Sequence, residues 1–259
     1  MTRRVLLLGG IDPSGGAGIT ADATVVSLHH AAPLPIALTH TEQNRSGFRR
    51  CLPVPAEQWC RALHAVLDDG PVHAVKVGML ADAVSVRGVA RELLALRGQV
   101  PIVVDPVMIA TSGHRLLDED AVGALVERLV PVATVLTPNH PEAVALAGGG
   151  EVMAWAASVG RPVLITGGDV EGEEIVDRLV MGGTTRAWRG PRIAGGPFHG
   201  TGCTLASAVA AGLAGGAPLE EAVDAAITYV RARLAAAIRP GHGAAVGGPV
   251  RSPWSATTL

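Results

Sequence analysis

Short apolar runs alternate with longer segments of helical periodicity along most of the chain. The runs are continuous rather than alternating, which is typical of strands covered on both faces. They predict strands at 4–10, 35–40, 73–79, 101–106, 134–139 and 162–168. Because strands that alternate with helices form parallel sheets with right-handed crossovers, the pattern predicts an α/β fold with a mainly parallel central sheet.

The segments between these strands carry apolar residues at helical spacing, with Pro or Gly at their ends. They predict helices at 18–30, 55–70, 82–98 and 118–131. After residue 168 the pattern predicts a hairpin that turns at 182–183, and then two closing helices at 201–215 and 218–237. No linker or repeat divides the chain, so we predict a single domain over 1–259 that ends in a Gly- and Pro-rich tail, 241–259.

The composition excludes several classes of function. A formal charge of −2 provides no basic field, so we expect no nucleic-acid partner. No segment approaches the roughly 20 apolar residues of a membrane span, and the N-terminal apolar run is shorter than a signal sequence needs. We therefore expect a cytoplasmic protein without a membrane partner. Lys76 is the only lysine among many arginines, which we interpret as a compositional bias.

The cysteines and histidines show no metal-binding pattern. Cys51, Cys60 and Cys203 have neither CxxC nor other metal-ligand spacing, and their odd number does not suggest a disulfide framework. We expect Cys51 and Cys60 to be packing residues. A GxSxG motif is absent, which disfavours a serine hydrolase.

Polar and glycine-rich motifs follow the predicted strands, where ligands of open α/β sheets bind. The first, "GGIDPSGGAGITAD" at 9–22, is neither a Walker A loop nor a GxGxxG fingerprint. Its glycines would let the backbone approach a ligand. An equally good interpretation is a helix N-terminal turn with Asp12 or Ser14 as the cap.

Two further motifs place carboxylates at strand ends. In "DPVM", Asp105 either caps a turn or faces an anion and metal site. In "TPNHPE", Asn139 and Glu142 stand three residues apart across a helix start, a spacing suited to Mg²⁺ beside phosphates. The same spacing also forms a capping box, which is the favoured interpretation when the motif is considered alone.

The segment "HGTGCT" places two glycines and a thiol where an apolar helix begins. Unpaired N–H groups and the helix dipole make such a turn an anion site, here formed by Gly200, Thr201, Gly202 and Cys203. The same field lowers the pKa of a cysteine, which makes Cys203 a candidate base or polar contact. The alternative is a small buried packing residue.

Together these motifs resemble one known family. "DPSGGAG", "QN", "VGML", "DPVM", "TPNHPEA", "HGTGCTL" and "GHG" occur in the order found in the hydroxymethylpyrimidine/phosphomethylpyrimidine kinases of thiamine biosynthesis, which belong to the ribokinase-like superfamily. The resemblance covers nearly the whole chain. It implies a three-layer αβα fold, ATP and Mg²⁺ as cofactors, an aminopyrimidine substrate and a homodimer.

The resemblance also implies roles for individual residues. The pyrimidine would be bound by Gln43, which hydrogen-bonds the ring, and by Gly10, Asp22, Met79 and Val107. Nucleotide and metal would be bound by Asn139, Thr166, Gly168, Glu142 and Asp105. The anion hole would be formed by Gly200, Thr201, Gly202 and Cys203.

The chain departs from the family pattern at several places: the segment between "PEAVALAGGG" and "VLITGGD" is shorter than usual, a GAYG-like turn is missing before Gln43, and two single residues differ. Thr166 stands where the family usually has a lysine, and Arg45 stands where a small residue is typical. Two alternatives are therefore kept open, a kinase of pyridoxal-type ring alcohols and a pyrimidine-binding protein with weakened catalysis. If Cys203 is a base, Cys203→Ala should impair phosphorylation of the alcohol more than that of the phosphate ester, because only the alcohol must lose a proton.

Overall fold

A computed structural model describes residues 2–109, 113–168, 170–239, 241–250 and 252. A nine-stranded sheet runs through it in the order β3-β2-β1-β4-β5-β6-β7-β8-β9. Its strands are β1 (Arg4–Ile11), β2 (Ala32–Asn44), β3 (Gly47–Pro53), β4 (Ala74–Val77), β5 (Ile102–Val104), β6 (Val135–Leu136), β7 (Val163–Ile165), β8 (Glu174–Met181) and β9 (Thr184–Pro191). Neighbouring strands from β2 to β7 pair in parallel, whereas β3, β8 and β9 are antiparallel additions.

Two layers of helices cover the sheet. One layer contains α1 (Gly18–Leu28), α7 (Thr201–Ala214) and α8 (Leu219–Ala235). The other contains α2 (Ala56–Asp68), α3 (Ala83–Leu93), α4 (Glu119–Ala124), α5 (His140–Leu146) and α6 (Val152–Ser158). Each layer buries its own apolar core against the sheet. The predicted three-layer αβα arrangement with a mainly parallel sheet is confirmed.

The order of the strands places a binding crevice. The chain winds outward from β1 to β2 and β3, then returns to pair β4 with the other side of β1. Ligands of such sheets bind at this reversal, outside the carboxyl ends of the strands. A register shift between Gly9 and Gly10 interrupts the pairing of β1 with β2 at this edge, and the pairing then continues from Gly10 with Thr39 and from Ile11 with His40.

The elements differ from the predicted ones mainly at their ends. The inner strands β5, β6 and β7 are shorter than predicted because their last predicted residues turn into the crevice. The pattern missed β3 and α6, and α4 continues as one π-helical and one 3₁₀ turn to Val132. In the predicted tail, β11 (Ala245–Val246) pairs with β10 (Phe198–His199), and residues 251 and 253–259 lie outside the described part of the chain.

Helix length also bears on the membrane prediction. Within the described residues, every helix is too short or too polar to cross a bilayer.

Candidate active site

A cleft of about 1100 Å³ opens at the carboxyl ends of the strands. All the predicted site residues except Asp22 line it. They are Gly10, Gln43, Met79, Asp105, Val107, Asn139, Glu142, Thr166, Gly168, Gly200, Thr201, Gly202 and Cys203. Residues that are 193 positions apart in the sequence thus meet in one cavity.

The turn that begins α7, residues 199–203, forms one wall of the cleft. Gly200 caps the helix with a φ of 78°, and its carbonyl accepts hydrogen bonds from the N–H and hydroxyl of Thr204. A side chain at Gly200 would overlap the carbonyl of Gly16 in the loop after β1. The first N–H groups of a helix have no intrahelical partner, so this turn presents donors to the cleft.

A buried carboxylate ties the α7 turn to the loop after β1. Asp12 accepts hydrogen bonds from the N–H groups of Ser14 (2.8 Å) and Ala17 (2.9 Å), and its Oδ2 lies 2.7 Å from His199 Nε2. Burial alone would raise the pKa of Asp12, but the hydrogen bonds from His199 and Ser14 hold it below its usual range. Asp12 therefore fixes the loop before α1 and also links it to the α7 turn. The interpretation of Asp12 or Ser14 as the helix cap is wrong, because the N-cap of α1 is Ala17 and has no side-chain cap hydrogen bond.

Asn139 and Glu142 form the capping box that their spacing predicts. Glu142 N–H donates to Asn139 Oδ1 (2.8 Å), and Asn139 N–H donates to Glu142 Oε2 (2.9 Å). The N–H of Met108 donates to the other carboxylate oxygen, Oε1, at 3.2 Å. The carboxylate is thus held by two backbone segments in the wall of the cleft, which makes it a rigid feature of the site.

Asp105 and Cys203 lie against each other beside the α7 turn. Burial raises the pKa of Asp105 to about 6, with the repulsion of Asp22 adding to it and the attraction of Lys76 opposing it. Burial also raises the pKa of Cys203 to about 12, and the thiol is hydrogen-bonded to Asp105. Cys203 is therefore a neutral thiol at neutral pH, which argues against the base role expected from its place at the helix start.

Apolar and polar side chains form the end of the cleft nearest β2. Met79 and Val107 line it together with Gln43, and Met79 is packed with Ala81 and Leu116 in a small separate core. The backbone of Gly10 lies close enough to Met79 that an added Cβ would meet Sδ at 3.2 Å. This end offers an amide beside a flat apolar wall, which suits a heteroaromatic ring.

The opposite end of the cleft carries two arginines that the motifs did not indicate. Arg192 donates to the carbonyls of Gly168 (2.9 Å) and Gly172 (2.7 Å) and so holds the loop that follows β7. Arg231 of α8 forms an ion pair with Asp177, with 3.7 Å between Nη2 and Oδ2. Both guanidinium groups line the cleft on the side of Thr166.

Asp22 does not take the place predicted for it. It is 1% exposed, and its Oδ2 lies 2.8 Å from Lys76 Nζ while its Oδ1 accepts a hydrogen bond from Ser207 (2.7 Å). The carboxylate lies beneath the cleft rather than in its wall, enclosed between α1, β4 and α7. A carboxylate buried in this way requires a cationic partner, which Lys76 provides. We therefore correct its assignment as a pyrimidine contact.

Sequence reasoning missed Lys76 and His199 as parts of the site. Lys76 interrupts the apolar run "HAVKVGM", and a charge inside a strand covered on both faces is a signal that something must pair with it. His199 begins "HGTGCT", but nothing in the sequence indicates that Asp12 is its partner. Arg192 and Arg231 carry no comparable signal, because arginine is common along the chain.

Comparison with known proteins identifies the family of the chain. The model of the phosphomethylpyrimidine kinase family matches residues 12–249. The chain belongs to the phosphomethylpyrimidine kinase family. The hydroxymethylpyrimidine/phosphomethylpyrimidine kinase of Rhizobium meliloti is 41% identical over 249 residues, with 92% of this chain and 93% of the relative covered.

Solved structures resemble this member of the phosphomethylpyrimidine kinase family over most of its length. The ADP complex of Bacillus subtilis pyridoxal kinase has a TM-score of 0.86 and 30% identity and covers 96% of this chain and 97% of its own. Phosphomethylpyrimidine kinase from Clostridium difficile has a TM-score of 0.77 and 31% identity, with 89% and 98% covered. The ribokinase-like fold and the assignment as a kinase are thereby confirmed.

Proposed function

We propose that this protein uses ATP to phosphorylate 4-amino-5-hydroxymethyl-2-methylpyrimidine and then its monophosphate, in thiamine biosynthesis. The observation that carries the proposal is one continuous cleft with an amide and apolar wall at one end and the α7 turn in its side. Family membership and the naming of the Rhizobium meliloti relative support the choice of substrate.

The α7 turn supplies the chemistry that phosphoryl transfer needs. Charge spreads over the oxygens of the transferred group, so catalysis consists mainly of alignment and electrostatic stabilisation. Backbone donors at Thr201, Gly202 and Cys203 would bind those oxygens, while the link between Asp12 and His199 holds the turn in place. Because α7 holds these N–H groups in place, they need no rearrangement when negative charge develops on the transferred phosphoryl group.

The cleft residues fit a magnesium ion that is held largely by nucleotide phosphates. Asp105 Oδ2 and Thr137 Oγ1 are buried oxygens without a hydrogen-bond partner in the described part of the chain, and both residues line the cleft. Each oxygen of a carboxylate can accept more than one hydrogen bond, so the backbone contacts of Glu142 leave capacity for a metal-bound water. Bound Mg²⁺ would neutralise phosphate charge, with Asp105 and Glu142 on the protein side.

Nucleotide binding is proposed at the end that carries Asn139, Thr166 and Gly168. A cation is needed near the phosphates, and Thr166 supplies none. Arg192 and Arg231 line this end of the cleft and bring positive charge to it. The ADP complex of the Bacillus subtilis relative supports a nucleotide at this fold's cleft.

A pyridoxal-type ring alcohol is the second candidate substrate. The structure is more similar to Bacillus subtilis pyridoxal kinase than to the Clostridium difficile enzyme, with TM-scores of 0.86 and 0.77. Both substrate classes are flat heteroaromatic rings with an exocyclic CH₂OH, so the same wall can receive either ring. Turnover decides between them.

A coupled assay of ADP release with ATP and Mg²⁺ tests the proposal on the pyrimidine alcohol, its phosphate and pyridoxal. We expect the highest kcat/KM values on the two pyrimidines, and loss of activity with EDTA that added Mg²⁺ restores. Gln43→Ala should raise KM for the pyrimidines about tenfold or more, because a buried ring polar group loses its partner. The exposed Gln99→Ala is the matched control. A higher kcat/KM on pyridoxal, or no transfer to any of the three, would contradict the proposal.

The assembly and location stay predictions. A homodimer is proposed from the family resemblance, and light scattering on the purified protein measures its mass. A cytoplasmic location and a single domain over 1–259 are proposed on the sequence pattern alone.

A further inference from the structure

The chain contains a single lysine, and the fold buries it completely. Lys76 lies on β4 in the middle of the sheet with 0% exposure. An unpaired ammonium in such a place would destabilise the protein by several kcal/mol, so its position is set by its partners. Lys76 and three residues around it, Asp22, Asp105 and Ser207, form a group that we call the ionic cluster.

Asp22 and Ser207 form the part of the ionic cluster that lies away from the cleft and contacts the ammonium. Asp22 lies 2.8 Å from Nζ, and Ser207 donates to its other oxygen at 2.7 Å. Asp22 and Ser207 are both fully buried and do not line the cleft. Both oxygens of Asp22 are therefore occupied within the protein.

The other side of the ionic cluster reaches the cleft. Asp105 Oδ2 lies 3.8 Å from Nζ and has no hydrogen-bond partner in the described part of the chain. Both oxygens of this carboxylate lie 3.8 Å from the point where a Cβ of Gly202 would be. Asp105 thus stands between the buried ammonium and the first turn of α7.

The ammonium of Lys76 lies between two negatively charged side chains. Asp22 and Asp105 are two carboxylates in one buried volume, and among the described residues Lys76 is the cation that forms ion pairs with both of them, at 2.8 Å and 3.8 Å. The group is a fixed cation directly behind the wall that receives the anionic phosphoryl group.

We propose that Lys76 is a positioning residue for phosphoryl transfer: acting through Asp105, its ammonium holds that carboxylate against the first turn of α7, while Asp22 and Ser207 anchor the ammonium. The inference rests on the proposed function of the α7 turn. It separates two roles that the ionic cluster combines. Asp22 contributes stability, whereas Lys76 contributes both stability and the alignment of the reacting groups.

These two roles can be tested separately by substitutions in the 259-residue chain. Lys76→Met should lower both Tm and kcat, with kcat falling about 10- to 100-fold and KM for ATP changing less than about threefold. Adding Asp22→Asn removes one of the two carboxylates that this change leaves unpaired, the one that lies closer to Nζ. We expect the double variant to recover most of the lost Tm while kcat stays low. Recovery of kcat together with Tm would overturn the proposal.

Two single variants serve as matched controls. Asp22→Asn keeps a carbonyl oxygen at position 22 that can accept a hydrogen bond from Lys76 Nζ, and Ser207→Ala leaves the contact between Lys76 and Asp22 in place. Both variants should therefore lower Tm but keep the ammonium beside Asp105, so kcat should stay within about threefold of the wild type. If the double variant does not fold, the kcat values of these single variants still test whether Lys76 is a positioning residue. A loss of kcat in Asp22→Asn as large as that in Lys76→Met means that the ionic cluster has only a structural role.

A crystal structure of the double variant gives a readout that needs no turnover. We expect the Asp105 carboxylate to have turned away from Gly202; an unchanged carboxylate would overturn the proposal. Absence of kinase activity in the wild-type protein, in contrast, would contradict the proposed function and leave this structural outcome to decide the role of Lys76.

Discussion

At the scale of single residues, burial changes the chemistry that residue type and position suggest. A cysteine at a helix start is expected to have a low pKa because the dipole favours the thiolate. Cys203 has the opposite behaviour, since burial and the neighbouring Asp22 and Asp105 raise its pKa to about 12. Its thiol is a hydrogen-bonding neighbour of Asp105 rather than a proton acceptor.

Cys203→Ala therefore should reduce phosphorylation of the pyrimidine alcohol and of its phosphate by similar factors, about tenfold or less. The reason is that the substitution removes one hydrogen bond and no base. Steady-state kinetics on both substrates measure the two factors. Cys203→Ser should retain more activity than alanine, and Cys60→Ala on α2 is a control cysteine far from the cleft. A loss confined to the alcohol would restore the base role that the sequence suggested.

At the scale of elements, the site depends on how one helix begins. α7 starts at Gly200, whose positive φ of 78° and close approach to Gly16 leave no room for a side chain. The loop after β1 and the α7 turn are held together there and at the contact between Asp12 and His199. The anion site is therefore a property of two packed segments rather than of one motif.

Gly200→Ala should reduce kcat at least about 100-fold, because displacement of the turn by even 1 Å misaligns its donors. The matched control is Gly216→Ala beyond the other end of α7, where φ is 84° and an added Cβ meets nothing within 4 Å. Both variants acquire the cost of a left-handed residue, about 1–2 kcal/mol, but only the first displaces the site. Equal activity of the two variants would show that the α7 turn does not bind the transferred group.

At the scale of the whole molecule, the two helical layers contribute differently. The layer of α1, α7 and α8 carries Asp22, Ser207 and the α7 turn, whereas the other layer is an apolar support with the capping box of α5. The other two members of the ionic cluster belong to the sheet, with Lys76 on β4 and Asp105 directly after β5. His29 at the end of α1 contacts Tyr229 of α8 edge-on at 4.6 Å between ring centroids. Contacts of this kind hold the catalytic layer together away from the cleft.

The stability of the whole molecule should fall as the pH drops below about 6.5, in part because of His29. Burial lowers the pKa of His29, whose Nε2 is enclosed without a hydrogen-bond partner in the described part of the chain. Below the unfolded pKa, 6.5, the unfolded chain takes up a proton that the folded protein does not, so the free energy of unfolding decreases with falling pH.

Urea unfolding between pH 7 and pH 5 measures this contribution. His29→Phe keeps a ring against Tyr229 and removes the proton site, so its pH dependence should be shallower by up to about 1.4 kcal/mol per pH unit. Identical slopes for the variant and the wild type would contradict the assignment.

The sequence determined the architecture and most of the cleft. Continuous apolar runs between helical segments are sufficient for a parallel sheet with two covered faces, because period and burial are local properties of the pattern. Strand-end motifs also predicted the cleft residues, since the carboxyl ends of parallel strands must meet at one edge. The spacing of Asn139 and Glu142 likewise specified the capping box.

Only the tertiary structure decided what the buried charges do. Asp22 and Lys76 are 54 positions apart, and Asp12 and His199 are 187 apart, so no local pattern connects them. Packing decides whether a carboxylate such as Asp22 lines the cleft or lies beneath it. Packing also decides whether the thiol of Cys203 is a base or stays neutral, because it removes solvent from the thiol and brings charged groups close to it. Those electrostatic interactions exist only after the layers have closed on each other.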